Sequence, residues 1–274
     1  MKNTLAGLGS YARSVRKAII EMATPVRSSH TGGAFSATDL LVVLYFEILK
    51  IDPARPDDPC RDIFVYSKGH SSSALYAVLS ERGFFSPDLL KEYYVDGGRL
   101  PGHPVRRCVP GVEVSSGSLG HGLPMGVGLA LARKLDKNPS RVFVMISDGE
   151  CDEGSVWEAA MLAGHHGLDN LTVIVDFNKI QSLGRTEEVV NLEPLKKKWS
   201  AFNWAAREID GHNLSSIYNT LKRVPFKKGY PSAVVAHTVK GRGVSFMEGQ
   251  LEWHYRSLDD QGQYLQALKE VERS

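Results

Sequence analysis

Apolar positions recur at helical spacing at the start of the chain. Val15, Ile19 and Met22 share one face of a segment that predicts a helix over 11–27, ending near Pro25. A second helix is expected over 36–49, where Ser36 and Asp39 resemble a capping box and the run LLVVLYFEIL follows. That run is apolar on nearly every side, which implies burial or a subunit interface. The period then changes. DIFVYSKGH (62–70) reads as a short β-branched and aromatic strand that breaks at Gly69, and SSSALYAVLSERG (71–83) as a helix stopped by Gly83. Residues 94–120 are rich in glycine and proline and hold no obvious regular element. A loop of that length inside a compact domain is usually functional. Helical patterning resumes over 121–135.

The clearest block follows. RVFVMIS (141–147) is a buried strand, EGSVWEAAMLAGHHG (153–167) a helix and LTVIVDF (171–177) a second buried strand. Strands that are apolar throughout belong to parallel sheets covered on both faces, so this is a βαβ unit. NWAAREI (203–209), a helix over 214–224 and a strand over 232–239 continue the alternation, and a loop and a final helix complete the chain. The fold class expected is α/β, a doubly wound parallel sheet with helices on both faces. No linker divides the sequence, so a single domain over 1–274 is expected.

Composition narrows the partners. A 274-residue chain with 42% hydrophobic and 23% charged residues is ordinary for a soluble globular protein. Its formal net charge of +2 leaves no broad footprint for nucleic acid. The densest basic stretch, Lys196–Lys198, reads as a solvated helix face. Cys60, Cys108 and Cys151 stand far apart and are odd in number, which suits a reducing, cytoplasmic setting and structural thiols better than a disulfide framework. The N-terminus has no apolar signal core, and no run approaches the ~20 apolar residues of a membrane span, so no membrane association is expected.

The candidate chemistry lies at the ends of the two strands of the βαβ block. Asp148 follows the first strand directly, and Asn178 stands 30 positions later, just past the second. In an open parallel sheet, ligands collect outside the carboxyl ends of the strands. A carboxylate and an amide oxygen there form an oxygen-only set suited to a hard cation such as magnesium, which keeps positions free for phosphate oxygens. Gly149 lets backbone approach such a ligand closely, and the following helix can present N–H groups to an anion. The plainer alternative is that Asp148 caps the helix over 154–167 and Asn178 makes a turn.

SDGECDEGSVWEAAMLAGHHGLDNLTVIVDFNKIQ resembles the thiamine diphosphate fingerprint, Gly-Asp-Gly followed by about thirty residues and an Asn, in the version found in transketolases. SSHTGGAFSATDLL, YSKGHSSSALYAVL, PGHPVRRCVPGVEVSSGSLGHG and VKGRGVSFMEGQLEWH resemble, in order, the loops that carry that family's histidines. The resemblance implies that Asp148, Asn178 and the carbonyl of Ile180 ligate Mg2+, or Ca2+ or Mn2+ in its place. It implies that His70 and Gly149 hold the diphosphate, and that Leu119, in the turn opened by Gly117, packs on the cofactor ring. His30 and His254 would face the donor carbonyl, and His103 would hold the donor's terminal hydroxyl. Glu153 and Glu158 would be the acidic residues at a dimer interface that couples paired sites, where the alternative is an exposed helix start that favours acids.

Three departures stand out. Ser147 replaces the first glycine of the fingerprint, and His121 stands where the family usually has glutamine. Transketolases are also much longer, and no segment here corresponds to the domain that supplies the glutamate activating the cofactor's aminopyrimidine. The resemblance therefore implies half an active site. The expected function is transfer of a two-carbon ketol unit from a ketose phosphate to an aldose, with this chain paired in a heteromer, two copies with two of a companion C-terminal subunit, homodimerised through this half. The helix at 40–49 and Trp157 are candidate interface material. Alternatives are a component of a related deoxyxylulose-phosphate synthase or 2-oxoacid dehydrogenase, or a non-catalytic relic. A nucleotide-binding protein is disfavoured because no GKS/GKT loop and no GxGxxG after the first strand occur.

Overall fold

The computed structural model describes residues 2–25 and 30–273. In chain order the elements are α1 (Lys2–Ala23), α2 (Thr31–Val43) continued by a π turn (Leu44–Ile48), β1 (Ile63–Tyr66), α3 (Ser72–Arg82), α4 (Gly122–Leu135), β2 (Val142–Ser147), α5 (Gly154–His165), β3 (Leu171–Phe177), α6 (Thr186–Val189), α7 (Leu195–Ala201), β4 (Ala205–Asp210), α8 (Leu214–Leu221), β5 (Ser232–His237) and α9 (Gln261–Arg273). Short 3-10 turns occupy Gly69–Ser71, Pro87–Glu92, Gly149–Asp152 and Leu251–His254.

All the strands pair in parallel in the order β1-β2-β3-β5-β4. Neighbouring residues of a strand point to opposite faces, and the two faces feed two separate cores. Phe64, Tyr66, Phe143, Met145, Ile174 and Val234 join residues of α1, α2, α3, α8 and α9 on one side. Ile63, Val65, Val144, Ile146, Val173 and Val235 join α4, α5 and α7 on the other. Strands wanted by both cores must be apolar at every position, which is why β2 and β3 read as unbroken runs. β4 lies at the sheet edge and is more polar, with Arg207 and Glu208 exposed.

The structure corrects the start of the chain in two places. α1 spans Lys2–Ala23, so it begins and ends earlier than the expected 11–27, of which 26 and 27 lie outside the described residues. α2 starts at Thr31, not near Ser36, and the capping box does not form. The Ser36 hydroxyl lies buried in the helix interior and donates to Asp176, 2.6 Å away, while Asp39 pairs with Arg16 at 2.7 Å. The segment Thr31–Ile48 is apolar enough to suit a bilayer by composition, but 89% of it is buried against the rest of the chain. Leu40 to Leu44 are fully buried there, so that stretch is core and not interface. Trp157 is also packed internally, against Trp199 and Phe202, with its indole N–H donating to the Cys151 carbonyl at 2.8 Å. The thiols are all free. Cys151 is buried and Cys60 is on the surface, so only the former fits a purely structural thiol.

Candidate active site

The carboxyl ends of β1, β2, β3 and β5 open onto one cavity of about 450 Å3. Asp148 leaves the end of β2 and Asn178 the end of the adjacent β3, as expected. Asp148 is 1% exposed. One of its oxygens accepts from the Gly149 N–H at 2.9 Å, and the other from the Lys179 N–H at 2.6 Å. Asp148 thus fixes the tip of both strands and caps only the short turn 149–152, not α5. Lys179 holds a left-handed φ of 69°, which turns the chain so that Asn178 Oδ1 accepts from the Ile180 N–H at 3.1 Å. Ile180 is buried, and its carbonyl oxygen accepts from Lys240 Nζ at 3.1 Å.

The base of this edge is a buried charge network. The Asp176 carboxylate, at the end of β3, is fully buried. It accepts from Lys68 Nζ, Ser36 Oγ and Thr238 Oγ1, drawing the loops after β1 and β5 and helix α2 together. Burial pushes the Asp176 carboxyl up, but the Lys68 charge and these hydrogen bonds outweigh it and leave it below the ordinary carboxylate range. Burial and the neighbouring Asp176 charge push Asp148 up. Glu150, equally buried, accepts from Ser67 Oγ and from the N–H groups of Gly120 (3.2 Å) and Ser147 (2.8 Å). It thereby ties the turn carrying Leu119 to the ends of β1 and β2.

Three imidazoles face one another across the cavity. The ring centroid of His30 lies 5.2 Å from that of His70 and 5.1 Å from that of His254. His30 has a left-handed φ of 64°, and its N–H donates to the His254 carbonyl at 3.1 Å, which joins the start of α2 to the turn after β5. Burial lowers its pKa to about 4, helped by Lys240, His103 and Lys68. Burial and Lys240 lower His254 to about 3, and burial with Lys68 holds His70 well below the ordinary imidazole range. All three are therefore neutral near pH 7 and act as hydrogen-bonding groups, not cations.

Gly117, Leu119, Gly149 and Glu153 also line the cavity. Leu119 is 38% exposed there, an apolar face turned toward the opening. Of the residues singled out from the sequence, His103 and Glu158 lie outside the cavity lining. His103 is exposed and stands over Gly117, where an added Cβ would come within 3.1 Å of its ring, so it sits at the rim. Glu158 is exposed on α5. His121 is exposed as well, at the start of α4.

Lys240 escaped the sequence reading. It follows β5 in VKGRG, where a basic residue among glycines looks like a solvated loop. It is 3% exposed, and its ammonium contacts both Ile180 O and His254 Nδ1, the latter at 2.8 Å. The available signal was its position immediately beyond the carboxyl end of a buried strand.

The donor set suits a hard cation and an anion held together. Oxygens of Asp148, Asn178 and Ile180 converge on one edge and supply a single charge, which leaves a divalent cation attractive to phosphate oxygens. Among the described residues no group of three or more His, Cys, Asp and Glu converges, so a softer, nitrogen- or sulfur-rich metal site is not built there. Gly149 N–H and Lys240 offer donors to the anion. A Cβ at Gly149 would come 3.3 Å from Gln181 Cβ, so the bare backbone keeps the cradle open. The Nδ1 of His30 is buried without a partner among the described residues. The class defined is thus a doubly wound α/β domain with a site for a cation-bound phosphate ester at its carboxyl edge.

Comparison with known proteins agrees. Residues 10–270 match the model of the transketolase thiamine diphosphate binding domain. One of the two subunits named for apulose-4-phosphate transketolase in Phocaeicola vulgatus is 41% identical over 256 residues, covering 93% of this chain and 90% of that protein. The 6-deoxy-6-sulfo-D-fructose transketolase subunit SqwG of a Clostridium species is 41% identical over 266 residues, covering 97% and 96%. The transketolase structure from Leishmania mexicana superposes with a TM-score of 0.87 at 29% identity, over 97% of this chain but only 44% of that one. The chain belongs to the transketolase family and spans its thiamine diphosphate binding domain.

Proposed function

We propose that this chain is the cofactor-gripping half of a two-chain transketolase that moves a two-carbon ketol unit from a ketose phosphate to an aldose. The observation that carries the reading is the convergence of the Asp148, Asn178 and Ile180 oxygens, Lys240 and three neutral imidazoles on one cavity at the sheet edge. In this reading Asp148, Asn178 and the Ile180 carbonyl hold Mg2+, with Ca2+ or Mn2+ able to stand in. Gly149 N–H, His70 and Lys240 hold the diphosphate. Leu119 and Gly117 form an apolar wall for the cofactor ring.

Bound thiamine diphosphate supplies nucleophilic addition to a carbonyl and storage of the electron pair released when the neighbouring carbon–carbon bond breaks. The chain's own residues orient the donor. His30 and His254, held neutral, donate hydrogen bonds to the donor's oxygens and stabilise charge developing on them. His103, at the rim, holds the donor's terminal hydroxyl.

The relatives named as transketolase subunits are matched over nearly their whole length, whereas rat transketolase is matched over 40% of its own. A companion chain would supply the remaining portion, including the carboxylic acid that activates the cofactor's aminopyrimidine. Homodimerisation through this half is supported by the exposed Met161 and Leu162 on α5, the helix that also carries Glu158, with Glu153 just ahead of it. That gives two copies of this chain with two of the companion in a cytoplasmic enzyme. The names of the relatives point to branched or sulfonated ketoses, alongside ordinary pentose phosphates, as donors to test.

The experiment is reconstitution. The isolated chain with thiamine diphosphate and Mg2+ should show negligible transfer, and adding the chain encoded by the neighbouring reading frame should restore it with a ketose phosphate donor. Robust transfer by the isolated chain would overturn the half-site reading. Turnover of pyruvate in place of a ketose phosphate would favour the deoxyxylulose-phosphate synthase or 2-oxoacid dehydrogenase alternative.

A further inference from the structure

We propose that Tyr255 is a specificity-determining residue that reads the part of the sugar beyond the two transferred carbons. The inference rests on the transketolase reading of the same cavity.

Tyr255 follows His254 in LEWHYR and lines the cavity. Its ring centroid lies 5.2 Å from that of His30 and 4.7 Å from that of His254, edge to face in both cases. It is therefore the next ring outward from the two imidazoles that face the donor's oxygens. Its backbone N–H donates to the Glu252 carbonyl at 3.3 Å, which closes the turn Leu251–His254 and fixes the residue at the mouth. Yet Tyr255 is 61% exposed, and its hydroxyl has no hydrogen-bond partner among the described residues. An aromatic ring held by its backbone, packed on one edge only and carrying a free phenol, offers a flat apolar face and one polar handle.

The described cations nearby are committed elsewhere. Lys240 is engaged by Ile180 O and His254 Nδ1. Arg256, the next residue, lies over Trp253 at 5.1 Å and pairs with Glu252 at 3.1 Å, outside the cavity lining. Among the described residues, this point along the donor's path thus presents no free positive charge. A ring face and a phenol suit the C–H and hydroxyl groups of a polyol chain and not a phosphate, whose recognition falls to the companion.

The test uses the reconstituted holoenzyme with two donors. One is D-xylulose 5-phosphate or D-fructose 6-phosphate, whichever the wild type turns over faster. The other is hydroxypyruvate, which delivers the same two-carbon unit with no polyol chain beyond it. Losing both stacking and the phenol in Tyr255→Ala should lower the ratio of kcat/KM for the ketose phosphate over hydroxypyruvate about tenfold, carried by KM, and Tyr255→Phe should lower it about threefold. Dissociation constants for thiamine diphosphate should stay within about twofold of wild type. An unchanged ratio, whether both donors are lost equally or neither is affected, would overturn the proposal. So would dissociation of Tyr255→Ala from the companion on size-exclusion chromatography, which would make Tyr255 an interface residue. A wild-type holoenzyme inert toward both donors would overturn the underlying transketolase reading, and the proposal with it.

Discussion

Lys240 Nζ lies 3.1 Å from the carbonyl oxygen of Ile180 and 2.8 Å from Nδ1 of His254. One buried ammonium therefore links a carbonyl proposed to ligate the cation with an imidazole proposed to face the donor. Burial also pushes its pKa down, which marks a charge held in place against its desolvation. Lys240→Met removes the positive charge and leaves both acceptors without their donor. The expected result is at least about a tenfold rise in the dissociation constant for thiamine diphosphate at saturating Mg2+, measured by calorimetry. An affinity equal to wild type would exclude Lys240 from the anion site.

Lys68 and Asp176 form the fully buried pair beneath the site. Removing one partner of such a pair leaves an uncompensated charge and costs about 3–5 kcal/mol. Lys68→Met should therefore lower the urea midpoint sharply, whereas Lys68→Met combined with Asp176→Leu should recover much of the loss. Equal destabilisation in the single and double variants would mean that the pair's geometry, and not its charge balance, sets the cost.

Gly69 sits where a Cβ would come within 2.7 Å of the Gly117 nitrogen and of the Ser116 carbonyl carbon. Those are backbone atoms of the loop that presents Gly117 and Leu119 to the cavity, so they cannot rotate away. Gly69→Ala should displace that loop at a cost of about 1–3 kcal/mol, and cofactor affinity should fall with it. Stability and affinity both within error of wild type would show that the loop gives way freely.

The pH dependence of stability has two windows. For Asp39, burial raises the carboxyl, but the Arg16 charge and the hydrogen bonds from His212 and Arg16 prevail and lower it below its ordinary value near 3.8. A depressed folded pKa means that this stabilisation is complete above that value and is lost as pH falls through the lower, folded one. His30, lowered from 6.5 to about 4, behaves in the same sense over a higher range. The unfolded chain takes up a proton near 6.5 and the folded chain does not, so stability declines as pH falls from 6.5 toward 4. Denaturation midpoints across this range should show a slope for the wild type that His30→Ala reduces, while Asp39→Asn alters the curve only below about pH 4. A slope unchanged by His30→Ala would place the responsible proton elsewhere.

The βαβ block was legible because both cores claim its strands, leaving β2 and β3 apolar throughout and their ends marked by Asp148 and Asn178. The metal and diphosphate candidates followed from that edge. The start of α2 was not legible. Two glycines directly after Thr31 are poor material for a helix start, and their use is tertiary: Lys240 packs against Gly32, and Lys68 and His70 lie close to Gly33. Ser36 looked like a cap, but it answers a carboxylate 140 residues away, and local spacing cannot reveal that pairing. Lys240 was hidden for the same reason, since only the folded chain shows that its charge is buried. Strand order was also beyond reach, because β5 inserts between β3 and the edge strand β4.

The whole functional reading depends on oxygens at two neighbouring strand ends clamping a divalent cation against the diphosphate. Crystals of the holoenzyme grown with thiamine diphosphate and Mn2+ in place of Mg2+ test this directly through the anomalous signal of the metal. The expected result is one strong peak about 2.0–2.3 Å from Asp148, Asn178 Oδ1 and the Ile180 carbonyl, bridged to the diphosphate oxygens. A peak ligated by other residues, or a bound diphosphate with no metal at these oxygens, would contradict it.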